Sequence, residues 1–363
     1  PKIIIRMENE TLKIYEQWKL LESQRNELKQ HISQKFMLEF NYNSNHIEGN
    51  TLTYGQTELL LLFGKIIGNA KMKDLEEMKA HNIGLQIIKE EALLKQSILT
   101  ETFIRQLHAI LLREDYEVYR QLPNGLQTSY TVHAGTYKTR PNSVITRTGE
   151  RFEYASPEET PALMNDLMSW YNSSAEKGEL NPIELAALFH YRYIRIHPFE
   201  DGNGRIARLI VNFILCRYGY PMIVVPSKTK EEYLLALNLS DLNVGLIPSD
   251  GAHASLEQIQ PFINYIEKLV RIEMQNDITI VKGEKDSQWW YDGEIVKFSN
   301  SNIKAIINAI SKNPAITVRG LAEEIGINTS AIQRHLKYLQ EKCFLVRIGN
   351  NKKGEWHIAL SKL

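Results

Sequence analysis

The sequence predicts a mainly α-helical protein with one short β-hairpin near its middle and a helix-rich C-terminal module closed by two strands. Three observations carry this reading. Apolar residues recur at three- and four-residue spacing through most of the chain, which is the period of an amphipathic helix. Helix-start signals precede these runs: Thr53-Tyr54-Gly55-Gln56 as a capping box, Ser156-Pro157-Glu158-Glu159, and Asn181-Pro182-Ile183-Glu184. Strand-like patterning is confined to Tyr137–Tyr154 and to two apolar segments near the C-terminus.

Composition excludes several classes. The 363 residues are 43% hydrophobic and 24% charged, and 43 basic residues balance 43 acidic ones. A net charge of zero gives the whole chain no general attraction to nucleic acid or membrane. Cys216 and Cys343 lie in different expected units, which argues against a disulfide framework. With no apolar run near membrane-spanning length and no signal-type N-terminus, the expectation is a soluble, cytoplasmic protein without a membrane partner.

In chain order, Glu8–Phe40 forms an amphipathic helix through Leu12, Tyr15, Leu20, Leu28, Ile32 and Phe36, running on past Ser44 until Gly49-Asn50 stops it. Helices follow near Tyr54–Ile67, Lys73–Leu94 and Thr102–Leu112. The hairpin rests on Val144-Ile145, Thr148-Gly149 and Phe152. A helix then starts at Ser156, and the next, from Asn181, delivers His197 at its C-terminal end. Two more are expected at Thr229–Leu242 and Leu256–Met274, before a polar stretch containing Trp289-Trp290. The division is 1–99 (N-terminal helical region), 100–280 (central domain), 281–301 (linker) and 302–363 (C-terminal module).

The segment from His197 to Arg208 concentrates the chemistry. It holds a proton acceptor, a candidate metal ligand, a glycine-bracketed turn and two arginines, and it opens an apolar helix. A helix N-terminus with close-approach glycines is an anion site, and arginines three residues apart on that helix project to one side. His190 and His197 do not form a metal pair, because seven residues separate them and no second histidine stands four residues on.

The same segment matches the signature of the Fic family, His-x-Phe-x-(Asp/Glu)-Gly-Asn-Gly-Arg-x-x-Arg, at every fixed position, and the wider resemblance spans Thr100–Met274. The resemblance implies an all-helical domain with a hairpin flap at Tyr137–Thr146. It also implies transfer of AMP from ATP to a Ser, Thr or Tyr hydroxyl of a target protein, with release of pyrophosphate. His197 suits a general base near neutral pH. Asp201 suits Mg²⁺, a hard cation that takes carboxylate and phosphate oxygens. Gly202, Asn203 and Gly204 can bind phosphate oxygens, Arg205 the departing pyrophosphate and Arg208 the outermost phosphate. Phe199 is expected to anchor the loop and Glu200 to face solvent. By resemblance Tyr233 lines the adenine pocket, with core packing an equal alternative, and Ser240 stands where an asparagine often occurs.

Ser44-Asn45-His46-Ile47-Glu48-Gly49 resembles the inhibitory motif of regulated Fic proteins, (Ser/Thr)-x-x-x-Glu-(Gly/Asn). Ser44 and Glu48 share a helix face, so Glu48 can pair with Arg208 in place of a phosphate. Residues 302–363 carry ten Lys/Arg against four acids and resemble a winged helix-turn-helix, with Ser330, Gln333, Arg334 and Lys337 on its recognition helix and Lys352 and Lys353 in the wing. The expected function is therefore a self-inhibited protein adenylyltransferase that uses ATP and Mg²⁺, with itself among its targets. Double-stranded DNA or a protein is the partner of the C-terminal module. Other readings stay open: a DNA-binding regulator with the core as a nucleotide sensor, removal of AMP with Glu48 activating water, and transfer of UMP or another phosphate-linked group. A homodimer is also left open.

Overall fold

The computed structural model describes residues 9–66, 68–94, 97–121, 126–145, 151–282, 288–291, 294–298, 300–349 and 354–362. The elements are, in order, α1 (Asn9–Leu20), α2 (Glu22–Glu27), α3 (Lys29–Ile47), α4 (Tyr54–Phe63), α5 (Met72–Leu93), α6 (Glu101–Leu112), β1 (Tyr116–Gln121), β2 (Gln127–Val132), β3 (Ser143–Ile145), β4 (Arg151–Glu153), α7 (Thr160–Lys177), α8 (Pro182–Ile196), α9 (Asn203–Arg217), α10 (Lys230–Val244), α11 (Pro248–Ala252) and α12 (Gln260–Val281). Then come β5 (Gln288–Tyr291), β6 (Glu294–Lys297), α13 (Ser301–Lys312), α14 (Val318–Ile325), α15 (Thr329–Glu341), β7 (Leu345–Ile348), β8 (Glu355–Ile358) and β9 (Ser361–Lys362). The expected mainly α class holds, with small antiparallel strand pairs only.

Two compact units emerge: one from Pro1–Leu20, Asn43–Asn50 and Glu76–Gln275, the other from Leu21–Tyr42, Thr51–Leu75 and Asn276–Leu363. In the first, α8 and α9 are the centre. Asn181 caps α8 through Ile183 N–H and Glu184 N–H, and the Glu184 side chain returns the bond to Asn181 N–H. Its neighbour α9 presents Ile206, Ala207, Leu209, Ile210 and Phe213, none of them exposed. The α8–α9 hairpin therefore holds the turn between its helices rigidly. Buried Arg195 fixes α8 further, donating to Asp241 Oδ1 (3.1 Å), Gly245 O (2.8 Å) and Ile247 O (3.0 Å).

In the second unit, α13, α14, α15 and the β7–β8 pair surround a core that includes Ile306, Leu321, Ile332, Leu336 and Trp356. Trp356 N–H donates to Pro314 O and its indole to Ile316 O, tying β8 to the loop between α13 and α14. The stretch read as a linker carries β5 and β6, and β5 pairs with β9. Lys352 and Lys353 lie outside the described residues.

Three local expectations are corrected. The long first helix is broken into α1, α2 and α3 by Leu21 and Leu28, whose ψ values are 16° and 11°. Leu20 (82% exposed) and Leu28 supplied the apolar period without being core. The Ser156/Glu159 box forms, but α7 proper starts a turn later at Thr160. The β1–β2 pair was not anticipated, since its residues are mostly exposed and leave no apolar alternation to read. Cys216 and Cys343 are free thiols, and among the described residues no helix is long and apolar enough to cross a membrane.

Burial holds His81 well below its usual pKa and pushes His108 to about 4 and His190 to about 3. The unfolded chain therefore binds more protons below pH 6.5, and stability present above that pH is lost as pH falls. Thermal unfolding of the first unit should weaken between pH 7 and 5, by about 1.4 kcal/mol per pH unit per histidine below the unfolded pKa. A melting temperature independent of pH over that range would contradict this assignment.

Candidate active site

The turn between α8 and α9 begins at His197, which adopts φ 52° and ψ 61° and so ends α8 in the left-handed region. A side chain rarely sits there, and this one is held by its surroundings. The Tyr154 ring stacks on the imidazole at 4.0 Å and 12°. Two side-chain amides, Asn142 Nδ2 (2.8 Å) and Asn203 Nδ2 (3.0 Å), point at Nδ1. Burial and the Lys138 ammonium lower the imidazole pKa to about 3, against a smaller opposing effect of Asp201, so the ring is neutral at physiological pH.

The hairpin is sewn to this turn. Buried Lys138 sends its backbone N–H to Pro198 O (2.8 Å) and its ammonium to Ile196 O (3.0 Å), His197 O (2.9 Å) and Asn142 Oδ1 (2.9 Å). Glu200, expected to face solvent, instead accepts from Thr139 N–H and Oγ1–H at 3.2 and 3.1 Å. Its position in the motif is variable, but its carboxylate is taken by the hairpin. Phe199 is fully buried, as expected, and stacks on His108 with centroids 3.7 Å apart.

Asp201 accepts from Tyr116 O–H (2.6 Å) and Gly202 N–H (2.6 Å), and Arg205 Nη2 stands 3.5 Å away. Burial alone would raise its pKa, but Arg205, Tyr116 and the Gly202 N–H outweigh it and leave the carboxyl below its usual value. Gly202 takes φ 78°, and α9 begins at the next residue. The first N–H groups of α9 have no partner within the helix and face the same side as the two arginines.

Arg208 is 3% exposed and is engaged by Ser44 on α3 and by Glu48 in the turn that follows it. Nε donates to Ser44 Oγ (3.0 Å), and Nη2 donates to Ser44 O (2.9 Å) and Glu48 Oε1 (2.6 Å). The same carboxylate covers the start of α9: a Cβ added at Gly204 would collide with Glu48 Oε1 and lie 3.1 Å from Arg208 Nη1. The end of α3 is clasped by Lys230 Nζ to Ile47 O (2.7 Å) and Ser227 N–H to Asn43 Oδ1 (2.8 Å). Arg205 Nη1 lies 3.7 Å from Glu77.

The structure thus brings His197, Asp201, Gly202, Asn203, Gly204, Arg205 and Arg208 to one turn, with Ser44 and Glu48 over it. Tyr233 is buried behind it: its hydroxyl meets His190 Nε2 at 2.9 Å and its ring packs with Phe262 and Tyr265. Ser240 is buried and bonds back to Ala236 O. His108, Tyr116, Lys138, Asn142 and Glu77 were not singled out from the sequence. None carries a local motif, and only their distance to the turn identifies them.

Residues 98–215 match the model of the Fic/DOC family and residues 299–342 that of the winged helix-turn-helix DNA-binding family. A solved Fic domain containing signaling protein from Bacteroides thetaiotaomicron is 55% identical, with 76% of this chain and 97% of that one covered and a TM-score of 0.71. The chain belongs to the Fic family. A Fic family protein from Desulfovibrio desulfuricans, 17% identical, shares the fold over 99% of this chain and 98% of its own at a TM-score of 0.54. Protein adenylyltransferase fic-1 of Caenorhabditis elegans is 29% identical over 246 residues, 68% of this chain and 42% of that protein. The Fic chain spans about half the length of the curated relatives it matches.

The packing of Glu48 on Gly204 makes a prediction that is independent of activity. Gly204→Ala is expected to cost about 1 kcal/mol of stability, because the flexible Glu48 carboxylate must swing away from Arg208 to make room. In a Glu48→Gly background the same substitution should cost far less, which denaturant unfolding of the four chains would measure. Equal costs in both backgrounds would mean that the carboxylate does not rest on Gly204.

Proposed function

We propose that this protein is an adenylyltransferase that moves AMP from ATP to a protein hydroxyl and that it is self-inhibited in the conformation described. The observation that supports this best is the convergence of His197, Asp201, the α9 N-terminus, Arg205 and Arg208 on one turn. Its curated relatives bear the name protein adenylyltransferase.

In this reading the target oxygen attacks the α-phosphorus, the bond to the bridging oxygen of the β-phosphate breaks, and pyrophosphate leaves. The hydroxyl proton passes to His197, whose ring is already neutral. The first N–H groups of α9 hold phosphate oxygens, and Arg205 and Arg208 meet the negative charge of the β- and γ-phosphates. Asp201 fits Mg²⁺: it is ionised, keeps unused lone pairs, and among the described residues has no cluster of three His, Cys, Asp or Glu around it. That suits a cation bound through one carboxylate with substrate phosphates and water completing its shell. When bound, Mg²⁺ supplies neutralisation of phosphate charge. The hairpin, β3 and β4 with Lys138 behind them, offers an edge on which a target segment can pair.

Inhibition rests on Glu48. Its carboxylate is the anion that Arg208 binds, lying against Gly204, so it occupies the place proposed for the γ-phosphate. ATP would then bind in a pose unsuited to in-line attack.

The C-terminal module is proposed to bind duplex DNA. Ser330, Gln333, Arg334 and Lys337 are exposed on one side of α15, while Ile332, His335, Leu336 and Leu339 are buried on the other. That is the division of a recognition helix, and the match of residues 299–342 supports it.

Glu48→Gly is expected to raise incorporation of label from radioactive ATP roughly tenfold or more, consistent with loss of the carboxylate paired with the buried Arg208 guanidinium. His197→Ala should abolish incorporation with ATP binding retained. Unchanged labelling in the first variant would remove the inhibitory role, and full labelling in the second would remove the base. For the module, binding to random duplex should weaken linearly in log salt, and Arg334→Ala with Lys337→Ala should reduce that slope by about two. A salt-independent signal, or none at low salt, would favour a protein partner.

A further inference from the structure

The second unit contains a cavity of about 320 Å³ between α4 and the C-terminal module, at the small end of the range in which proteins hold ligands. Its walls are largely apolar. Leu59 of α4, Ile307 of α13, Trp289 of β5 and Trp356 of β8 line it and are themselves almost fully buried. Phe63 and His357 line it too, their rings meeting edge to face at 5.0 Å.

Into this setting α4 brings one carboxylate, that of Glu58. Among the described residues it has no hydrogen-bond donor and no cation against it. Burial lifts its pKa to about 8, and no neighbouring charge pulls it back. No lysine or arginine lines the cavity among the described residues. Arg347 stands over the Trp356 ring at 4.5 Å without lining the cavity. Burial and Lys65, against the opposing pull of Glu355, keep His357 below its usual pKa, so that its ring is neutral above pH 7.

We propose that the cavity binds a small organic cation, an ammonium group on an apolar body, with Glu58 as its counter-ion. Three simpler occupants fit less well. An anion would meet a carboxylate and no positive group. A metal ion would find a single carboxylate, and among the described residues no three His, Cys, Asp or Glu side chains converge. A neutral apolar molecule would fill the walls but leave the carboxyl group without a partner. An ammonium answers both halves of the site. Its charge pairs with the carboxylate away from bulk water, and its substituents lie among aromatic rings, which attract cations.

Binding and ionisation of Glu58 are linked. The cation requires the charged carboxylate, so binding near pH 7 expels the proton that burial keeps on it. Affinity therefore rises with pH up to the pKa of Glu58 and levels off beyond it.

The probe is phenyltrimethylammonium, whose charge does not titrate, compared with tert-butylbenzene, which has the same shape and no charge. Calorimetric titration of the full-length protein is expected to show the ammonium binding roughly tenfold more tightly at pH 9 than at pH 7. At pH 7 it should release about one proton, read from the heats in buffers of different ionisation enthalpy. At pH 9 its affinity should exceed that of tert-butylbenzene roughly tenfold or more. Glu58→Gln should remove the pH dependence and most of that preference, while the hydrocarbon still binds. Binding of neither probe overturns the proposal. So does equal binding of the two, or an ammonium affinity that ignores pH or the Glu58→Gln substitution. The pH and preference measurements need only the unaltered chain, so a variant that fails to fold leaves them decisive. No residue of this cavity belongs to the α8–α9 turn, and none of these outcomes bears on the adenylyltransferase reading.

Discussion

The Arg208 guanidinium is the constraint around which the first unit is arranged. It is almost wholly removed from water, and a cation so placed must be paired. Within this chain the partners come from the end of α3 and the turn after it: the Ser44 hydroxyl and carbonyl and the Glu48 carboxylate. The three bonds satisfy the charge and at the same time place a carboxylate over the first turn of α9. The reach of Arg208 is felt beyond that contact, since together with burial it helps keep His190 neutral and, with Arg205, His81. Any phosphate that approaches α9 meets a cation already satisfied, and must replace a ligand rather than fill a gap.

The turn after α8 is held from the opposite side by the hairpin. Lys138 is the rivet: one backbone N–H and one ammonium reach three carbonyls and an amide, and burial lowers its pKa to about 8. Below the turn, His108 lies flat on Phe199, takes Gly135 N–H on Nδ1 and faces Asp201 O with Nε2. The turn is thus held between the hairpin on one hand and the end of α3 on the other, with Arg205 Nε and Glu200 Oε2 left without a hydrogen bond among the described residues. Under the proposed function, such preorganisation would favour oriented chemistry once Glu48 leaves Arg208.

Much of this was legible because it is local. His197 to Arg208 is contiguous, its glycines and arginines have fixed spacing, and helix caps such as Asn181/Glu184 are read from three residues. Glu48 was legible through its four-residue spacing to Ser44. What escaped was non-local: Lys138 and Asn142 reach His197 across fifty or more positions, and Glu77 and Tyr116 reach Arg205 and Asp201 only in the folded chain. The first helix failed for the opposite reason. Its period was real, but Leu20 and Leu28 satisfied the pattern while facing water.

One feature of His197 bears on how such a site can vary. The residue proposed as the base is also the residue whose left-handed backbone ends α8 and turns the chain toward α9. For an ordinary side chain that conformation costs roughly 1–2 kcal/mol, whereas glycine adopts it freely. Glycine would relieve that backbone cost but would remove a ring that stacks on Tyr154 and meets two side-chain amides, so backbone preference and packing pull in opposite directions at this position.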